Sequence, residues 1–221
     1  MSTITTEITE EIQEQLNLSA VLMENFRKNI KHDSWFGLDP ENENHKYLAK
    51  KLLKTYNVKS ARELRNSVYA YEVVRKASNS FRNIACKLRI YSEEEYTNLL
   101  ENQKYSIDRN YYRIVWPHRF SLYRTSLAGY DLAMAIFLLR MGGAAGFINE
   151  TEMELRLTDI TVSVKKVFNN WDSFHENVLV GHQFMTANMA ADVAFFANSE
   201  QSVLQSLRYL KITNPHWFAQ W

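Results

Sequence analysis

The chain has 221 residues, 46% of them hydrophobic and 13% aromatic, and a net charge of +1. That supply of apolar side chains excludes a wholly disordered chain and suits one large domain or two small ones. The longest apolar run, Leu132 to Leu139 between Asp131 and Arg140, falls well short of the roughly 20 residues a membrane-spanning helix requires, so no membrane partner is expected.

The opening stretch, MSTITTEITEEIQEQ, is acidic and has neither the basic nor the apolar region of a secretory leader. A single cysteine, Cys86, can form no internal disulfide. Both features point to the cytoplasm. Only three prolines occur (Pro40, Pro117, Pro215), and apolar residues recur at intervals of three and four. This spacing predicts an all-α protein, an irregular multi-helix bundle.

The small net charge conceals an asymmetry. Residues 1–45 hold nine acids against three bases, whereas residues 46–89 hold twelve Lys or Arg against only Glu63 and Glu72. Interleaved with Tyr47, Tyr56, Tyr69 and Tyr71, this basic segment could meet an acidic protein surface, or the phosphates and bases of a nucleic acid. A pI near 7.8 is low for a dedicated nucleic-acid binder, which favours the acidic protein surface. Lys50, Lys54, Arg75, Arg82 and Arg89 are its candidate contacts. The plainer account is that these charges face water, or that the acids of 7–43 and Glu93 to Glu95 fold back on them.

Within this segment Val74, Ala77, Phe81, Ile84 and Leu88 form one helical stripe, and Arg75, Arg82 and Arg89 follow seven apart on another face. Cys86, beside Ile84 and Ala85, is expected in the core. Residues 103–126, QKYSIDRNYYRIVWPHRFSLYRTS, are aromatic-rich, weakly periodic and interrupted by Pro117. They read as a connection between an N-terminal helical region with basic helices, 1–105, and a C-terminal helical region, 106–221. One continuous domain is the alternative.

The stretch YDLAMAIFLL is apolar all round and predicts a buried central helix near 131–141. Asp131 at its start and Arg140 at its end both suit the helix dipole, each by about 0.3–1 kcal/mol. A desolvated Asp131 could alternatively serve as a general base. In LLRMGGAAGFINETEMEL the glycines follow a helix and no lysine follows them, so a phosphate loop is disfavoured. Gly142 or Gly143 in the left-handed conformation would end the helix, Gly146 would permit the reversal, and Asn149 would cap the next helix with Glu152 in capping-box position. That helix carries the stripe Met153, Leu157, Ile160, Val164 and Phe168.

FHENVLVGH brings the zinc-protease motif to mind, but Leu179 stands where the second histidine must be. On a helix beginning near Ser173, with Glu176 completing a capping box, His175 and His182 lie two turns and about 10 Å apart, too far to share a metal. They read as surface or boundary histidines. No nucleophile elbow GxSxG occurs. No metal and no cofactor is expected.

Three stretches, AGYDLAMAIFLLRMGGAAGFINETE, NNWDSFHENVLVGHQF and ITNPHW, resemble the bacterial domain-of-unknown-function family 1266, the YbeU/YbeR-like proteins. The matching positions are Tyr130, Asp131, Arg140, Gly146, Phe147, Ile148, Trp171, Gly181, Pro215 and Trp217, within residues 126–217. Met134 and His182 depart from the pattern, which has arginine at both. The resemblance implies a bacterial, cytoplasmic, helical protein with no established reaction. It directs attention to Asp131, Arg140, Trp171, His182 and Trp217, with Tyr130, as a shared pocket.

A charged face without a recognisable catalytic set predicts a non-enzymatic protein-binding module of immunity or adaptor type. The alternatives are a hydrolase or transferase, with Asp131 as base and His182 or Arg140 assisting, and sequence-independent nucleic-acid binding by residues 46–89.

Overall fold

The apolar run at 132–139 becomes the axis around which the other helices pack. A computed structural model describes residues 8–24, 31–104, 106–187, 193–219 and 221, with Ser106 and residues 193–200 described by their backbone alone. In chain order the helices are α1 (Glu10–Asn17), α2 (Ala20–Glu24), α3 (Glu43–Thr55), α4 (Ala61–Glu72), α5 (Lys76–Leu88), α6 (Glu93–Asn102), α7 (Ser106–His118), α8 (Ala128–Ala144), α9 (Glu150–Val167), α10 (Trp171–Thr186) and α11 (Val193–Thr213), with a 3-10 turn at Pro215–Phe218. No strand occurs among the described residues.

Every residue of α8 is buried. Helices α3, α4 and α5 pack on it from before residue 105, and α9 and α10 from after it. One hydrophobic core therefore runs from Ile12 to Phe184, across both expected regions. A smaller cluster of Ala20, Val21, Val203 and Leu210 seats α11 on α2.

Capping chemistry sets most helix starts. Asn42, Ser60 and Asn149 cap α3, α4 and α9, and Ser92 with Glu95 closes a full capping box on α6. The predicted stripe of α9 is buried throughout, from Met153 to Phe168. Helix α10 begins earlier than expected: the Asn170 side chain accepts from the Ser173 N–H at 2.8 Å, so Asn170, not Ser173, is the cap.

Three further expectations are corrected. Cys86 is exposed, because the buried stripe of α5 runs through Ala77, Phe81, Ala85 and Leu88 and position 86 falls one residue outside it. The aromatic connection at 103–126 contains a helix of its own, α7, with Pro117 in its last turn. Gly142 and Gly143 stay helical, and Gly146 takes the left-handed conformation with φ +79°. Phe147 N–H donates to Gly142 O at 2.8 Å and Gly146 N–H to Gly143 O at 2.9 Å, the paired bonds of a Schellman ending. Gly142 instead allows close approach, since a Cβ there would overlap the Leu64 side chain of α4.

Candidate functional site

Asp131 is fully buried, and its carboxylate accepts from the backbone N–H groups of Ala77 and Ser78, both at 2.9 Å. These belong to the first turn of α5, whose own cap residue, Arg75, has φ +56° and makes no side-chain capping bond. Asp131 therefore supplies from α8 the acceptor and negative charge that a helix N-terminus requires. Around it the Ser126 hydroxyl donates to Ser78 O at 2.7 Å, and Asn177 of α10 donates to Ser126 O at 2.6 Å while accepting from Gly129 N–H at 2.8 Å. Burial pushes the Asp131 pKa up, opposed by the donors of Ser78 and Ala77 and by the nearby Arg75 guanidinium.

Arg140 is also fully buried, at the other end of α8. Its guanidinium donates to Ser34 O at 2.8 Å, to His32 O at 3.2 Å, and to Lys31 O and Leu16 O at 3.4 Å. It thus fastens the turn at 31–38 and the end of α1 to the central helix. Burial pushes its pKa down to about 9, against the pull of Asp33, which leaves it charged at neutral pH.

A cavity of about 390 Å³ lies beside this framework, between α3, α4, the start of α5, α8 and α10. Tyr56, Tyr71, Tyr130, Lys76 and His182, with Thr55, Asn57, Ser67 and Thr186, supply its polar lining, and Met134, Phe137 and Met185 much of its apolar wall. Burial raises the pKa of all three tyrosines, that of Tyr71 to about 12, and lowers that of His182 to about 4. Neither Asp131 nor Arg140 lines this cavity.

The shared pocket expected of Tyr130, Trp171 and Trp217 is divided among three places. Tyr130 lines the cavity. Trp171 packs against Phe174, Phe218 and Trp221, and it stacks on His175 at 5.4 Å. Trp217 meets His32 edge-on at 5.8 Å, and the His32 imidazole lies 2.9 Å from the Glu24 carboxylate. His175 is not a surface or boundary residue: it is buried, with no hydrogen-bond partner on either ring nitrogen.

The family model described as a protein of unknown function, DUF1266, matches residues 44–219. The chain belongs to the DUF1266 family. No curated protein and no solved structure matches the chain. The family match runs from the start of α3 to the 3-10 turn, taking in helices α3 to α7 that precede the motifs at 126–217. Met134 and His182 line the same cavity.

The candidate partner-binding residues of this DUF1266 protein separate by environment. Arg75 is half-buried and donates to Ala128 O at 3.2 Å. Lys50, Lys54, Arg82 and Arg89 are exposed and make no ion pair among the described residues. Of the two forms of the plainer account, these four charges face water; among the described residues the acids of 7–43 pair with the basic segment only at Glu43, through Lys46 one turn on, while Glu14 pairs with Lys165 of α9.

Arg89, at the end of α5, lies over the rings of Tyr123 at 4.1 Å and Phe120 at 5.5 Å. Arg119 lies over Trp116 at 3.4 Å and Phe120 at 4.5 Å, and Tyr96 stacks on Trp116 at 3.9 Å. Phe120 is 56% exposed, Tyr123 40% and the adjoining Ile90 81%. Together they form an arginine–aromatic patch that sequence reasoning missed apart from Arg89. The aromatic richness of 103–126 was the available signal, read there as a connection.

No group of three His, Cys, Asp or Glu side chains among the described residues could hold a metal ion. No described helix is long and apolar enough to cross a membrane.

Proposed function

We propose that this protein is a non-enzymatic binding module whose partner is an acidic segment of another protein, held at the arginine–aromatic patch where α5 ends and the turn after α7 begins. The observation that carries the reading is Arg89 lying over the rings of Tyr123 and Phe120, exposed and without an ion-pair partner among the described residues. A guanidinium held over aromatic rings is preorganised, and its N–H groups can still reach a carboxylate. Exposed arginine and aromatic side chains are the residue types that concentrate binding energy at protein interfaces.

A nucleic acid suits the patch less well. Trp116 is already stacked on Tyr96 and covered by Arg119, and Phe120 and Tyr123 lie under arginines, whereas single-stranded binders need open ring faces for their bases. An enzymatic reading based on Asp131 is weakened because both carboxylate oxygens already accept backbone hydrogen bonds. The resemblance to a bacterial family and the one cysteine, Cys86, support a bacterial, cytoplasmic setting.

The test is capture from nuclease-treated lysate of the native host, followed by titration of the purified partner. Arg82→Glu/Arg89→Glu, which leaves Arg75 and its bond to Ala128 intact, should weaken binding at least about tenfold, as expected when charged hydrogen bonds are lost. Hydrogen exchange should show protection at 89–90 and 119–124 on binding. A partner that binds the variant equally well, or salt-sensitive binding to short RNA in place of protein, would overturn the proposal.

A further inference from the structure

The cavity beside α8 has a lining more specific than a packing defect requires. Tyr71 and Tyr130 are almost wholly buried, at 6% and 5% exposure. Their hydroxyls, like that of Tyr56, have no hydrogen-bond partner among the described residues, yet they are not sealed away from the cavity. The two facts together place these phenol oxygens at the cavity surface. Three such groups, from α3, α4 and α8, leave their hydrogen-bonding capacity facing one space, where a polar ligand group can take it up in place of water.

The charge of the lining is one-sided. Lys76 brings an ammonium, and the three phenols, with Thr55, Asn57, Ser67, His182 and Thr186, supply uncharged donors and acceptors. No aspartate or glutamate lines it. The Asp131 carboxylate is engaged by the Ala77 and Ser78 N–H groups instead. Met134 and Phe137, which follow Tyr130 on the same face of α8, and Met185 of α10 form the apolar wall. A volume of about 390 Å³ lies within the usual range of small-molecule sites, which pair an apolar wall with a few placed polar groups.

We infer that this cavity binds a small organic monocarboxylate with an aromatic or branched apolar body, its carboxylate held by Lys76 and the tyrosine hydroxyls and its body lying on Met134, Phe137 and Met185. The site is independent of the arginine–aromatic patch, which shares none of these residues.

The test uses the full chain labelled at its methionine methyl groups and four probes: benzoate, phenylacetate, indole-3-acetate and isovalerate, each beside its neutral amide. Met134 and Met185 report the cavity, while Met153 on α9 serves as the internal control. At least one acid should shift the Met134 and Met185 signals saturably and leave Met153 in place. Its amide should bind about tenfold more weakly or worse, as expected for loss of a charged hydrogen bond. Tyr71→Phe, which keeps the ring and removes the hydroxyl, and Lys76→Gln, at an exposed position, should each weaken the acid to a similar degree.

Failure of all four acids to shift the two signals would overturn the inference. So would equal binding of acid and amide, or binding unaffected by both substitutions.

Discussion

Asp131 Oδ2 accepts the backbone N–H of Ser78 at 2.9 Å, joining the central helix to the start of a helix 53 residues earlier in the chain. The partner bond to Ala77 makes the carboxylate a cap supplied by tertiary structure, at a helix whose local cap residue, Arg75, is left-handed and contributes none. What sequence alone offered as a possible general base is, in its geometry, the joint between α5 and α8.

Asp131→Asn tests that joint. An amide can accept from one of the two N–H groups but turns its own donors toward the other, so a buried bond is lost and a donor conflict created. Stability should fall by about 2–4 kcal/mol, measured by urea unfolding. Amide exchange at Ala77 and Ser78 should accelerate. An unchanged unfolding midpoint would show that the cap does not hold α5.

Arg140 makes a parallel case at the far end of α8. Arg140→Met preserves bulk but leaves the Ser34 and His32 carbonyls without their donor, which should cost about 3–5 kcal/mol. The loss should be local as well as global: amides of 31–38 should exchange faster than those of α9. Equal protection of the two segments in the variant would remove Arg140 as the fastener of that turn.

The two kinds of glycine at the end of α8 should respond differently to alanine. At Gly146 the nearest atom to a new Cβ is Lys46 Cε at 3.7 Å, so Gly146→Ala meets only the left-handed backbone penalty, about 1–2 kcal/mol. Gly142→Ala drives a methyl into Leu64, and such overpacking costs about 1–3 kcal/mol with movement of the neighbour. Chemical-shift changes should therefore spread into α4 only for Gly142→Ala. Their appearance for Gly146→Ala instead would contradict this division.

Features that depend on one helix were legible in the sequence, and features assembled between helices were not. The all-round apolar stretch announced α8, and the periodic stripe from Met153 to Phe168 announced α9 together with its Asn149 cap, because each signal lies within a few turns of one segment. The partners of Arg140 lie 106 to 124 residues away, a separation on which local periodicity is silent. The cavity suffers the same limit, since its tyrosines come from α3, α4 and α8. Cys86 was misplaced because Ile84, Ala85 and Cys86 are all apolar in type, and only the packing of α5 on α7 and α8 decides which face is inside.

His175 and His182 should make the fold sensitive to mild acid. Burial holds their folded pKa values near 3 and 4, below the ordinary 6.5. The unfolded chain therefore binds protons that the folded chain refuses, and stability present above about pH 6.5 is lost as pH falls toward 4, by up to about 1.4 kcal/mol per pH unit for each histidine. His175→Phe should remove one share of that slope. It should also raise stability at pH 7, because a ring stacked on Trp171 is kept while two unpartnered buried nitrogens are removed. Urea unfolding at pH 7, 6 and 5 measures both effects. A wild-type slope retained in full by His175→Phe would mean that His175 is not the buried neutral group its surroundings make it.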